Sequence, residues 1–355
     1  MLLRSHLAAA QRRFNRTSSP SASSAFHESA DMDLQPTDDQ LALIEMVTGF
    51  ASDRFPIDIV RSFGEPNGFD RDRWKELAAL GTFGLALPET EGGVGLDFID
   101  AVLVHEALGK ALLPGPLLAA TLSAGLVDGV LDGSVLPAIV DIPHDGPIIV
   151  EHFRSSDVLL MVDDDGVRVA PSDIAEGIDV VRSTDPTSPI SILETVPAGE
   201  LIGGPELAVA WRQRGSLLAS AQLSGNSIGS TELAVAYAKE REQFGRPIGS
   251  FQGLKHLLAD SWIRSEVARS SVWAAGVMVD EPDVGSVTRA VAGARLTSGR
   301  AATENAKTCL QVHGGMGFTW EVDAHLFLKR AWVLETVFGT CDEAAEDVAN
   351  LYAGL

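Results

Sequence analysis

The sequence is poor in cysteine, in positive charge and in long apolar runs, and each shortage argues against a class of protein. Its 355 residues include two cysteines, Cys309 and Cys341, which give neither a disulfide framework nor the spacing of metal ligands. No apolar stretch approaches the roughly 20 residues that a membrane-spanning helix needs. The 27 Lys and Arg residues stand against 49 Asp and Glu residues, for a net charge of −22. Nucleic acid is therefore a poor partner, because binding a phosphate backbone needs clustered cations.

Residues 1–31 differ in composition from the rest of the chain. They contain arginines, a serine-rich run at 18–24 and no acidic residue before Glu28. Such a composition is typical of a mitochondrial transit peptide, which would direct the protein to the mitochondrial matrix. The alternative, which we favour, is a disordered extension of a cytoplasmic bacterial protein, with Met32 as the working start.

The spacing of apolar residues changes twice along the chain. It is helical at first, then gives way to short β-branched runs broken by Asp and Gly, and becomes helical again to the end. Long helices in antiparallel series indicate a bundle. We therefore predict an α+β, mainly α, fold. Its predicted parts are an extension at 1–31, a helical domain at 32–130, a reduced β domain at 131–204 and a four-helix bundle at 205–355.

The predicted bundle contains long helical segments and three tryptophans within them. The segments are 206–241, 250–279, 285–312 and 321–336. Because Trp262, Trp273 and Trp332 lie in these helices, we expect them to pack in the core.

The segment REQFGRPIGSFQ, residues 241–252, lies between two of the predicted helices. Gly245 and Pro247 interrupt the helical pattern, and Arg241 and Gln243 lie at the end of the preceding helix. A guanidinium there is a fixed cation with several donors, which suits a phosphate. The plainer alternative is a helix–helix turn in which Arg241 interacts with the helix dipole.

A second turn, QVHGGMGF at residues 311–318, is rich in glycine. Gly314, Gly315 and Gly317 have no side chain, so backbone N–H groups there are open to a ligand. The glycines do not follow a strand, so they are not a Rossmann fingerprint. The alternative is a tight connection between packed helices, in which His313 is a packed turn residue.

Together with the helix–β–helix order, these two turns resemble the acyl-CoA dehydrogenase family, from about Met32 to the C-terminus. Members of this family take a proton from the α-carbon of an acyl-CoA thioester and pass a hydride from the β-carbon to FAD. The resemblance implies a dimeric unit in which each subunit's bundle holds the dinucleotide end of its neighbour's FAD. The residues that match FAD-contacting positions of the family are Arg241, Gln243, Phe244, Phe251, Gln252, Gln311, Gly314 and Gly315.

The catalytic base of the family is missing from both of its known positions. The usual base is a Glu directly before Gly-Thr, but here Phe338 stands in that place and phenylalanine accepts no proton. Other members place the Glu at the start of the first long bundle helix, where this sequence has Gly215 and Ser216. We therefore predict no catalytic residue in this chain. Glu335, one helical turn before Phe338, is expected to be a solvated helix-end acid.

The β region also departs from the family. Members hold the flavin ring with a Thr-Glu-Pro segment running into Gly-Ser-Asp and with a later Trp-Thr or similar pair, and neither occurs between Pro116 and Arg212. This pattern resembles the non-catalytic subunits of actinobacterial α2β2 acyl-CoA dehydrogenases. The resemblance implies FAD shared with a catalytic acyl-CoA dehydrogenase subunit and a CoA thioester substrate, such as a steroid side-chain ester. It also implies an electron-transfer flavoprotein or a similar electron acceptor.

Two other functions stay open at this point. One is a homomeric acyl-CoA dehydrogenase with an unrecognised base. The other is a non-enzymatic acyl-CoA-binding or nucleotide-binding module that kept the fold and lost the flavin.

Overall fold

The chain passes through helices, a small β region and then a bundle of long helices. The computed structural model describes residues 34–63, 69–142, 147–174 and 183–353. The predicted extension at 1–31 lies outside these described residues. Within the described ranges, no helix is both long enough and apolar enough to cross a membrane.

The N-terminal part is helical, as predicted. Its helices are α1 (Asp38–Arg54), α2 (Ile57–Ser62), α3 (Arg71–Ala79), α4 (Phe98–Lys110) and α5 (Leu117–Ser123). A capping box fixes the start of α1: the Thr37 hydroxyl accepts from the Gln40 N–H at 3.2 Å, and the Gln40 side chain accepts from the Thr37 N–H at 3.0 Å. Helix α4 is buried along most of its length, so it is a core element rather than a surface helix.

The β region consists of short strands in two small sheets. The strands are β1 (Pro137–Asp141), β2 (Ile148–Glu151), β3 (Val158–Asp163), β4 (Gly166–Pro171), β5 (Ile190–Leu193) and β6 (Glu200–Gly203). One sheet has the order β1-β3-β4-β6, with β1 parallel to β3 and the other pairs antiparallel, and β2 pairs with β5 separately. The inner residues of β1 and β3 are buried, so this sheet has a small apolar core of its own beside the helices.

The C-terminal part is a bundle of long helices, and the prediction of a mainly helical fold is confirmed. Its helices are α6 (Pro205–Glu240), α7 (Gln252–Asp280), α8 (Val287–His313), α9 (Ala324–Leu334) and α10 (Cys341–Ala353). A two-residue hairpin of β7 (Glu242–Gln243) and β8 (Arg246–Pro247) separates α6 from α7. The predicted ends of α6 to α8 lie within a few residues of the observed ones, whereas α9 is shorter than predicted and α10 follows it as a separate helix.

Helix α4 crosses α6 at a point where both helices carry glycine. A Cβ atom on Gly225 would collide with the backbone carbonyl of Glu106, and one on Gly109 would collide with the backbone of Gln222. The two backbones are therefore closer than any side chain would allow. This crossing fixes α6 against the N-terminal helices.

We expect Gly225→Ala to lower the free energy of unfolding by about 1–3 kcal/mol, because the added methyl forces two packed backbones apart. Gly293 on α8 is a matched control, since an added Cβ there meets no atom within 4 Å. Gly293→Ala should raise stability by about 0.5–1 kcal/mol through helix propensity alone. Urea unfolding of the two variants measures the difference, and equal stabilities would contradict the close crossing.

The prediction that the three tryptophans pack in the core is wrong for two of them. The exposed fractions of Trp262 and Trp332 are 48% and 44%. The apolar spacing of a helix identifies an apolar face, but it does not say that the same chain covers that face. Four large apolar side chains on α7 are exposed, Leu257, Trp262, Ile263 and Val267, and we call this group the α7 apolar face.

Candidate functional site

A cleft of about 820 Å³ separates the β region from the bundle. Its walls come from α5, β1, β2, α6, the first half of α8, the 336–340 turn and α10. The turn that carries Phe338 and the segment of α6 that carries Ser216 both line it. Residues from the two places where the family keeps its base therefore meet at one cleft.

The ring of Phe338 fills the space beside Gly215. A Cβ built on Gly215 would lie 2.6 Å from Cε2 and 2.7 Å from Cγ of that ring. Phe338 is 7% exposed, and its backbone φ of 53° lies in the left-handed region, which costs a non-glycine residue about 1–3 kcal/mol. The two positions at which the sequence predicts that the base is missing, Phe338 and Gly215, are therefore in direct contact.

Glu335 lies outside the wall of the cleft. Its carboxylate accepts weak hydrogen bonds from the Thr303 hydroxyl at 3.4 Å and the Cys341 thiol at 3.6 Å. The cleft-lining residues of the described chain do not include it. Glu335 is half-buried at the end of α9 rather than solvated as predicted.

A buried arginine holds the turn that carries Phe338. Arg295 is 1% exposed, and its Nη2 donates to the carbonyls of Leu334 at 2.7 Å, Val337 at 3.0 Å and Gly339. Its Nε and Nη1 have no hydrogen-bond partner. Burial lowers the pKa of Arg295 to about 10, because the charged guanidinium is removed from water.

The β side of the cleft carries a buried polar network. Arg330 on α9 pairs with Asp185 at 2.7 Å and donates to the Thr187 hydroxyl at 2.6 Å. Next to it, the Ser188 hydroxyl donates to Glu151 at 2.5 Å. Burial raises the pKa of Glu151 because the charged form loses water, although the Ser188 hydrogen bond opposes the shift. The sequence analysis named none of these residues as site residues. The local sequence gives one sign of the network, since Arg330 is a charged residue on the apolar face of α9.

The mouth of the cleft is acidic. Arg212 is shared by Asp141 at 2.9 Å and Asp164 at 3.0 Å. At the start of α10, the carboxylate of Glu343 accepts from the backbone N–H of Thr340 at 2.7 Å. A helix N-terminus that lines a cleft would suit an anion, but here the chain's own carboxylate occupies it.

The two predicted turns lie together at one end of the bundle. Tyr237, on the last turn of α6, stacks on His313, on the last turn of α8, with ring centroids 4.1 Å apart. His313 is buried and contacts the Cys309 carbonyl through Nδ1 at 2.8 Å, so it is the packed residue that was predicted. Arg241 directly follows α6, and Gly314 directly follows α8.

The first turn presents its predicted residues to solvent. Arg241 and Gln243 are exposed, and Phe244 is 92% exposed with a left-handed φ of 54°. The ring of Phe251 lies 6.1 Å from that of Phe244, and Gln252 begins α7. An aromatic ring so exposed is a feature of binding surfaces rather than of a folded core.

The second turn is open in the same way. A Cβ on Gly314 or Gly315 would meet no atom within 4 Å, and Gln311 is exposed beside them. Phe318 and Trp320 follow, with exposed fractions of 76% and 58%. Sequence reasoning missed these two aromatic residues, although a run of apolar residues in a glycine turn was visible.

The comparisons with known proteins identify the family. Residues 37–131 match the model of the acyl-CoA dehydrogenase N-terminal domain, and residues 213–351 match that of the C-terminal domain. Acyl-CoA dehydrogenase IpdE2 of Mycobacterium tuberculosis is 31% identical over 308 residues, covering 84% of this chain and 92% of that protein.

Solved structures show the same fold. The ChsE4-ChsE5 complex from Mycobacterium tuberculosis has a TM-score of 0.79 at 23% identity, covering 91% of this chain and 100% of that chain. The structure described as Tcur3481-Tcur3483 steroid ACAD G363A variant has a TM-score of 0.77 at 22% identity, covering 89% of this chain and 98% of that chain. On the two domain matches and the similarity to IpdE2, the chain belongs to the acyl-CoA dehydrogenase family.

Proposed function

We propose that this chain is the non-catalytic subunit of a heteromeric, FAD-dependent acyl-CoA dehydrogenase, in which it completes a FAD site whose chemistry the partner performs. The observation that carries the proposal is the Phe338 ring packed against Gly215. Removing the α-proton of an acyl thioester needs a base within reach of that C–H bond. Neither position where the family keeps its base carries an acidic residue here, since they hold Phe338 and the Gly215-Ser216 pair.

Three of the other acids around the cleft either contact other groups or lie on the wall opposite Phe338. Asp141 is paired with Arg212, and Glu343 caps the start of α10. Glu151 contacts no cation directly, but it lies on β2, whereas Phe338 lies on the bundle side. Asp347 on α10 also lines the cleft, so the homomeric alternative would use Glu151 or Asp347 as its base, and these two residues are the ones to test for that alternative.

The cleft of this chain is a poor fit to FAD of its own. When bound, FAD accepts the hydride from the substrate, and its pyrophosphate needs donors or cations. The helix N-terminus at the cleft is filled by Glu343, and Asp347 on the same helix adds a further negative charge. Asp141 and Asp164 both pair with Arg212 at the mouth. A pyrophosphate placed there would meet carboxylates.

The turn end of the bundle fits the dinucleotide end of a neighbour's FAD. The open backbone at Gly314 and Gly315 allows close approach, and Gln311 lies beside it. Arg241 supplies a cation, and Arg246 lies 4.2 Å above the ring of Phe251. A guanidinium that suits a phosphate and exposed aromatic rings that suit an adenine therefore lie together at this end of the bundle. The residues proposed to contact FAD are Arg241, Gln243, Phe244, Phe251, Gln252, Gln311, Gly314 and Gly315.

The α7 apolar face supports the presence of a partner subunit. Several large apolar side chains exposed on one helix are typical of protein–protein contacts. A second copy of this chain would bring no base to the site, so the proposed partner is a catalytic acyl-CoA dehydrogenase subunit, in an α2β2 assembly. The names ChsE4-ChsE5 and Tcur3481-Tcur3483 each join two different proteins, and the latter is called a steroid ACAD. A steroid-derived acyl-CoA is therefore the proposed substrate, and an electron-transfer flavoprotein the proposed acceptor.

The proposed function predicts where flavin is found and what removes it. Purified alone, the full chain should show little flavin absorbance, whereas the complex co-expressed with its catalytic partner should be yellow. Gly315→Asp should lower the flavin occupancy of that complex at least tenfold, because a carboxylate at the open turn repels the pyrophosphate. The loss of a charge-assisted phosphate contact is worth about 1.5–3 kcal/mol.

Gly49→Asp is the matched control for this change. Gly49 lies on α1, and a Cβ there also meets no atom within 4 Å. Occupancy is measured by flavin absorbance per complex, with circular dichroism to confirm the fold. Full flavin on the lone chain, or equal occupancy in the two aspartate variants, would overturn the proposed FAD role of the turn.

A further inference from the structure

The cleft keeps a large open volume although Phe338 fills the position of the base. About half of the residues that line it are apolar, and three elements supply many of these. The apolar side chains of α5, β1 and α8 that line it are Leu117, Leu118, Ile139, Val140, Val291 and Ala292. A volume of about 820 Å³ with such walls matches the size range of small-molecule sites, about 300–1,000 Å³.

One face of α8 leads into this volume and ends at Arg295. Thr288, Val291, Ala292 and Arg295 recur at helical spacing, and all four line the cleft. Thr288, nearest the start of the helix, is exposed, whereas Arg295 is 1% exposed. The face therefore runs from the mouth of the cleft to a buried guanidinium.

Part of the Arg295 guanidinium makes no hydrogen bond to the described residues. Its Nη2 serves three backbone carbonyls, but Nε and Nη1 have no partner, and no carboxylate of the described residues pairs with it. A buried donor without an acceptor costs about 1–3 kcal/mol, and more when it is charged. An acceptor oxygen supplied by a ligand would remove that cost.

The charges at the mouth decide what kind of ligand enters. Asp141, Asp164, Glu343 and Asp347 line it, and Arg212 is engaged by the first two. The excess of carboxylates repels an anion, which excludes free acids and CoA esters held by their phosphates. An uncharged molecule is not repelled by these carboxylates.

We infer that this cleft binds an uncharged, largely apolar small molecule, one of whose carbonyl, hydroxyl or ether oxygens accepts a hydrogen bond from Arg295. The apolar body of the ligand lies against α5, β1 and α8. The site goes beyond the proposed function, because it needs neither the flavin nor the partner subunit.

The test uses Nile red, a neutral fluorescent molecule with a carbonyl acceptor, titrated into the full chain. We expect saturable binding of one molecule per chain. Thr288→Trp should weaken it at least tenfold by obstructing the mouth, whereas Thr308→Trp, further along α8 and outside the cleft, should leave it unchanged. Arg295→Met should weaken binding about tenfold, the loss expected for one hydrogen bond to a charged donor.

The comparison probe is dansylundecanoate, an apolar molecule that carries a carboxylate. It should bind at least tenfold more weakly than Nile red at low salt. Because Arg295 also holds the 336–340 turn, its variant is checked by circular dichroism, and the exposed Thr288 keeps the test decisive if that variant fails to fold. Nile red binding that survives Thr288→Trp, or tighter binding of the carboxylate, would overturn the inference. Neither result depends on flavin, so the proposed function is tested separately.

Discussion

Changing Phe338 to alanine should leave turnover of an acyl-CoA substrate by the complex within about threefold of wild type, while changing the partner's catalytic glutamate to glutamine should lower it roughly 10²–10⁴-fold. The phenylalanine ring only packs against Gly215 and takes no part in proton transfer. Its loss removes apolar contacts, which act through stability. The loss of the base removes the group that accepts the α-proton.

The acids of this chain provide the controls. Glu335→Gln and Glu151→Gln should each leave turnover within about threefold, because Glu335 lies outside the cleft wall and Glu151 is held by Ser188 on the β side. Steady-state rates are measured for each variant complex with flavin content checked in parallel. A loss of 10²-fold or more from either change, with the partner's glutamate dispensable, would assign the chemistry to this chain and make the homomeric alternative correct.

Much of the fold follows from local patterns. The apolar spacing of residues 206–241 predicted α6 (Pro205–Glu240) closely, because a helix needs only its own sequence to define an apolar face. The last predicted segment was too long, because the glycine turn after α8 continues as a short 3₁₀ segment to Phe318 and α9 begins only at Ala324. The exposure of Trp262 was not predictable, since no local signal says which apolar face another chain covers.

The candidate site, like the fold, has a part that the local sequence predicts and a part that it does not. The prediction that Phe338 stands in place of the base rests on the adjoining Gly-Thr pair, which marks the position within a few residues, and it stays a prediction. The contact between Phe338 and Gly215 was not visible, because it joins α6 to the turn after α9. The same holds for the pairing of Arg330 with Asp185, two charges from distant parts of the chain. The charge of a residue does not identify the residue that it pairs with. The packing of α9 against the β region brings Arg330 and Asp185 together.

We expect Asp185→Asn to be strongly destabilising. Asp185 and Arg330 have side-chain exposures of 1% and 6%, and the pair joins the β region to α9. Removing one partner leaves a buried charge without compensation, which costs about 3–5 kcal/mol. Thr187 donates to Oδ1 of Asp185 through its backbone N–H and its hydroxyl, whereas Arg330 donates to Oδ2, so the single carbonyl oxygen of asparagine cannot serve both residues.

A surface pair of the same chemistry is the matched control. Lys110 and Glu232 lie 2.7 Å apart with exposures of 40% and 50%, so Glu232→Gln should cost about 0–1 kcal/mol. Urea unfolding followed by circular dichroism gives both free energies. The double variant Asp185→Leu/Arg330→Met separates the loss of the ion pair from the burial of an unpaired charge. Replacing the whole pair by apolar side chains should recover part of the stability, because the cost of Asp185→Asn comes from the unpaired guanidinium. If Asp185→Asn and Glu232→Gln cost the same, the buried pair does not hold the β region against the bundle, and the wall of the cleft on that side is fixed by apolar packing alone.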